Sequence, residues 1–237
     1  MIMRKSKLYI IIYVLTLIMS IPFLLACSST SALKEGQQLF TGLKPIEYSN
    51  YEKSGYADST MLEMENVLAS APNGALFGSS YYRTPFPVRL WIWNAFSQSE
   101  GGVAKWITKA FGSKPKLMSN VNPQLRAQVA ENQLDKYGYF NGKVTYDVVT
   151  DNNPKKAKVA YHVDMGHLWT LDTVKYLGFP NEGQQLIDST RNLAVIRTGS
   201  PFNVSRLEEE RQRITRLFRN NGYYFYKNGY ASYLADT

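Results

Sequence analysis

The chain has 237 residues, a formal net charge of +8, 44% hydrophobic residues and a single cysteine. One cysteine excludes a disulfide framework, a CxxC redox pair and a cysteine zinc site, so folding depends on the apolar core. The basic excess is spread along the chain and no aromatic–basic reader motif accompanies it, which argues against nucleic acid as a partner.

Residues 1–7 carry Arg4, Lys5 and Lys7, and the stretch to Ala26 is almost wholly apolar, interrupted by Thr16, Ser20 and Pro22. A basic head, an apolar body and the closing Leu24-Leu25-Ala26-Cys27 describe a secretory signal over residues 1–26. An uncleaved membrane anchor is the competing reading, because the run is nearly long enough to span a bilayer. A cysteine directly after Leu-x-Ala favours cleavage, with Cys27 as the lipid attachment site. Loss of the three basic residues leaves a charge of about +5, a weak attraction to anionic headgroups. Residues 27–38 are small and polar and read as a tether.

Leu39–Tyr48 is expected as a strand and Ser59–Ala69 as a short helix. Residues 70–121 are too long for a plain loop and rich in rings, among them Phe77, Tyr82, Phe86, Trp93, Trp106 and Phe111. Within them Val103–Phe111 is expected as a helix with Trp106 and Ala110 on one side. Either the rings fold back over a sheet, or they form an exposed patch for a partner or a headgroup layer.

Asn122-Pro123 is a strong helix start. Leu125, Val129, Ala130, Leu134 and Tyr137 mark the buried face, and Gly138 stands at the C′ position. The period then drops to two. Phe140, Val144, Tyr146 and Val148 alternate with polar residues as a half-buried strand, Asp151–Pro154 turns the chain, and Ala157, Val159, Tyr161 and Val163 mark the returning strand.

A second copy follows. Trp169–Tyr176 alternates like a strand and Glu182–Ala194 has helical spacing. Asn203 is expected to cap a further helix, with Ser205 and Glu208 as a competing capping box. Val204, Leu207, Ile214, Leu217 and Phe218 form its apolar stripe, and Glu208–Arg213 a solvated charged face. Tyr223–Leu234 is expected as a strand. Leu134-x-x-x-Gly138-Tyr139-Phe140 matches Phe218-x-x-x-Gly222-Tyr223-Tyr224.

Two strand–helix–helix–strand–strand units, each with Gly-Tyr before its second strand, resemble POTRA (polypeptide-transport-associated) domains. Behind a lipobox they resemble the periplasmic arm of the BamA/TamA superfamily, in particular its TamA-like lipoprotein branch (TamL). The stretches carrying the resemblance are Leu39–Leu43, Ala71–Gly74 with Leu76–Gly78, Gly112–Pro115, Asp135–Phe140, Ser200–Asn203 with Leu207–Ile214, and Tyr233–Thr237. It implies an α+β fold of tandem POTRA-like modules, 39–165 with an insert at 70–121 and 166–237, the second lacking its last strand. The family continues into further modules and a transmembrane β-barrel, and this chain is expected to be an N-terminal fragment without a barrel. The implied role is outer-membrane protein assembly or translocation at the outer membrane, lipid-anchored and facing the periplasm. The implied partners are unfolded barrel precursors and a TamB-like periplasmic protein. Phe140, Val144, Tyr146 and Val148 are the candidate client-docking strand, by backbone pairing at an open sheet edge, with the edge of the second module as the other candidate. The alternative is a free-standing lipoprotein that binds a ligand or partner through its aromatic insert.

No catalytic or phosphate-binding motif is present. His162 and His167 lack the spacing of a metal pair, and Glu208–Glu210 suit the positive end of a helix dipole. The expectation is therefore a binding protein without catalytic residues, metal or cofactor.

Overall fold

The computed structural model describes residues 29–150 and 152–235, so the expected signal over residues 1–26, the expected lipid site Cys27, and Asp151 lie outside the described residues. The strands are β1 (Leu39–Leu43), β2 (Glu47–Ser49), β3 (Lys143–Thr150) and β4 (Lys156–Asp164). The helices are α1 (Gly55–Leu68), α2 (Val88–Phe96), α3 (Gly102–Phe111), α4 (Met118–Val121), α5 (Pro123–Lys136), α6 (Asn181–Ser189) and α7 (Val204–Asn220). The fold is thus mixed α and β, with one open sheet of order β1-β4-β2 and β3 also on β4. From Leu39 to Asp164 the order is strand, strand, helix, insert, helix, strand, strand, because the single strand expected over Leu39–Tyr48 is split into β1 and β2.

Two compact units divide the chain. The first comprises the described residues up to Glu47, Glu65–Gln128 and Thr145–His162, and the second Tyr48–Met64, Val129–Val144 and Val163 onward. The division falls within continuous backbone of β3 and β4.

In the first unit β1 runs parallel to β4, with Phe40 opposite Ala157 and Leu43 opposite Val159. Leu39, Phe40 and Leu43 are buried, as are Ala157, Val159, Tyr161 and Val163, so β4 follows its predicted alternation except at Ala160, which is buried as well. The insert is fastened to β1. Leu90 and Leu117 pack on Leu39, the Phe40 amide donates to Lys116 O at 2.8 Å, and the Leu43 amide donates to Ser80 O at 2.8 Å. Arg126 donates to Val121 O, Val67 O and Ala69 O, satisfying carbonyls left open at helix ends.

In the second unit α1 starts four residues before its expected Ser59, because Ser54 Oγ accepts the Ala57 amide at 3.1 Å and caps it. At the other end of α5, Gly138 takes φ +84° and the Tyr139 amide reaches back to Leu134 O at 3.0 Å. Helix α7 ends alike: Gly222 has φ +94° and the Tyr223 amide donates to Phe218 O at 3.0 Å. Both are the six-to-one closure of a left-handed helix stop. Asn203 caps α7 by accepting the Arg206 amide at 3.1 Å, so its register prevails over the Ser205–Glu208 box.

Four expectations are corrected. Trp169–Tyr176 is not a strand: the amides of Trp169 and Leu171 are spent on Gly138 O and Ser200 O, and only Thr170 forms a bridge, to Pro201. Tyr223–Leu234 is not a strand either. Tyr226 lies face to face with Phe218 at 4.5 Å, while Arg219 and Arg211 bind the carbonyls of Tyr226 and Asn228. The face of α5 is set by Ala127, Ala130 and Leu134, which are buried, and Leu125 and Val129 lie exposed. Finally, the charged face of α7 is not wholly solvated, because Glu210 is fully buried.

Candidate functional site

Backbone parity identifies an open edge on β3. The carbonyls of Lys155 and Val159 are taken by Leu39 and Lys44, so the odd residues of β4 face β1 and the even ones face β3. The hairpin closes with the Lys156 amide on Asn153 O at 2.9 Å, a register that sets Asp147 opposite His162. Their side chains meet at 3.2 Å. Odd residues of β3 therefore pair with β4, and the amides and carbonyls of Tyr146, Val148 and Thr150 point outward. β3 has no second strand neighbour among the described residues. At its start the outward amide of Val144 donates to Glu131 Oε1 at 3.0 Å.

The opposite side of the sheet is closed. Leu117 bridges Leu39, and Ser80 O and Lys116 O accept from β1. Gly42, at φ +123°, permits this close approach: a Cβ there would lie 2.8 Å from Ser80 O.

Of the four predicted docking residues, Val144 is buried, Tyr146 half-buried and Val148 41% exposed. Phe140 lies before the strand and is corrected as a member of it. Its ring packs on Phe202 at 5.0 Å and Trp169 at 6.1 Å. Burial along this face of β3 fades from Val144 through half-buried Tyr146 to exposed Val148 and Thr150, which leaves the end of the strand to solvent.

The insert forms a second feature. Asn73 joins its two ends: Oδ1 accepts the Lys116 amide at 2.6 Å and Nδ2 donates to Lys114 O at 2.8 Å and Ser113 Oγ at 3.1 Å. Lys116 Nζ donates to Ala71 O at 2.8 Å, and burial, followed by the charge of Arg126, lowers its pKa. The Ala71–Gly74 and Gly112–Pro115 stretches thus meet. A cleft of about 740 Å³ opens beside them, apolar at Leu76, Phe86 and Val88 and basic at Arg89 and Lys114. Phe77, Tyr82, Phe86 and Trp106 stand exposed, whereas Tyr81, Trp91, Trp93 and Phe96 are half-buried.

His162 lies between Glu47 and Asp147, at 3.0 and 3.2 Å, and His167 stacks edge-on to Trp169. No cluster suited to a metal ion occurs among the described residues.

Sequence reasoning missed Glu210. It accepts from Tyr176 Oη at 2.7 Å, the Val195 amide at 2.8 Å and Arg213 through two nitrogens, the shorter contact 2.6 Å. Burial pushes this carboxyl up, but the bonds from Arg213, Val195 and Tyr176 outweigh it and hold the group below the ordinary glutamate value. The signal was its place three residues after Leu207 and four before Ile214, inside the apolar stripe.

Among the described residues no helix is long and apolar enough to cross a membrane. Compared with family models and with curated proteins, the chain gives no match.

Proposed function

We propose that this chain is a strand-docking arm of the POTRA kind, serving an outer-membrane assembly or translocation factor of the BamA/TamA type from the periplasmic side. The outward backbone of Tyr146, Val148 and Thr150, which meets no strand among the described residues, carries the reading. An extended client adding to that edge gains main-chain hydrogen bonds with little demand on its side chains, which suits a receptor for many unfolded barrel precursors. The helix pair α1 and α5 flanking the insert, followed by the β3–β4 hairpin with β1 parallel to β4, supports a POTRA-like first module, in which β2 is an additional short strand. For a second module the support is the helix pair α6 and α7 and the matching Gly-Tyr helix stops. A TamB-like periplasmic protein would compete for, or extend from, the same edge. Anchoring through a lipid on Cys27 at the outer membrane is part of the same proposal.

Photo-crosslinking from position 148 tests it. Capture of an unfolded outer-membrane barrel precursor, lost on competition with a β-strand peptide, is the expected result. Capture from a control position on the exposed face of α5, such as 129, with none from 148 would refute it.

A further inference from the structure

We propose that the insert docks on an anionic bilayer surface through α3, a role independent of strand docking at β3. Residues 70–121 hold six basic residues and one acidic one, Glu100. Arg89, Lys105, Lys109 and Lys114 are exposed. On α3 the residues Val103, Trp106 and Ala110 recur at helical spacing, and this apolar stripe faces solvent: Val103 is 74% and Trp106 62% exposed. The Phe111 ring abuts Trp106 edge-on at 5.8 Å and is itself exposed. α3 carries lysines and no acidic residue. An outward apolar stripe with Trp and Phe, flanked by lysines, is the pattern of a helix that lies in a membrane interface.

A second observation points the same way. Phe77 is wholly exposed although its backbone takes φ 50°, a strained region for a bulky residue. The strain holds an apolar ring out in solvent with no packing return, which a headgroup layer would supply. The neighbouring cleft pairs apolar Leu76 and Phe86 with basic Arg89 and Lys114, the complement of an acyl boundary beneath anionic phosphates.

The test uses the full chain reconstituted in brominated phosphatidylcholine vesicles with and without brominated phosphatidylglycerol. The readout is the part of the tryptophan emission that Trp106→Phe removes, so tethering elsewhere in the chain does not score. The expected result is quenching of that part only with phosphatidylglycerol, relieved by salt. Lys105→Ala and Lys109→Ala should each lower the docked-to-undocked ratio about fivefold, with unchanged thermal melting, since both side chains are exposed. Equal quenching in both vesicles overturns the electrostatic half of the proposal. No quenching in either leaves the stripe to a protein partner and overturns it entirely.

Discussion

Glu131 Oε1 accepts the amide hydrogen of Val144 at 3.0 Å, and this one bond sets where the free edge of β3 begins. The next outward amides, those of Tyr146, Val148 and Thr150, face no strand among the described residues. Exposed edges are normally blunted in proteins by charge, proline or a covering segment. Here the covering segment lies on β1, and β3 is left open beyond Glu131.

Proline scanning separates the two sides of β3. Val148→Pro removes an outward amide and should abolish binding of an extended client peptide while shifting stability by only about 1 kcal/mol. Asp147→Pro removes an inward amide and should cost about 1–3 kcal/mol. Glu131→Ala should lengthen the paired register by freeing Val144. Peptide titration alongside urea denaturation reads all three.

Asn73 is expected to govern the insert without governing the rest of the fold. Asn73→Ala loses three hydrogen bonds between the insert ends and leaves the half-buried Lys116 amide without its partner, a cost of about 1–3 kcal/mol. Limited proteolysis should then cut within residues 74–112 before cutting elsewhere.

Removing Glu210 strands a nearly buried guanidinium, so Glu210→Ala should destabilise the second unit by about 3–5 kcal/mol. Its folded pKa lies below the ordinary value of 4.5, so its stabilisation is complete above that value and is lost as pH falls through the folded value. Urea midpoints should therefore drop more steeply between about pH 5 and pH 3 in the unaltered chain than in Glu210→Gln.

Tyr161 is fully buried, its hydroxyl has no hydrogen-bond partner among the described residues and desolvation has pushed its pKa up to about 12. Tyr161→Phe deletes an unpartnered polar atom and should leave stability unchanged or raise it by up to about 1 kcal/mol. Thermal melting checks this.

What could be read from residue order was local chemistry. Asn122 and Asn203 cap their helices, Gly138 and Gly222 end them, and β4 keeps its alternation, Ala160 apart, because one face of the sheet is covered. The misreadings came from partners far away in sequence. Trp169–Tyr176 and Tyr223–Leu234 have strand-like composition, but their backbone and rings are claimed by Gly138, Ser200 and Phe218. Leu125 and Val129 fit a helical face, yet alanines at 127 and 130 pack closer. The closure of β1 by Ser80 and Lys116 depends on Gly42 and on contacts across the insert, which no local period encodes. The resemblance alone names β3 as an open edge, and the contacts that close β1 and leave β3 as the free side have no local signal.

Amide hydrogen exchange at Tyr146, Val148 and Thr150, with and without an extended strand peptide from an outer-membrane barrel, addresses the docking edge most directly. Slowed exchange at these three amides, with Asp147 and Val149 unchanged, is the predicted outcome. A peptide that binds while all three outward amides exchange at their free rates would contradict it.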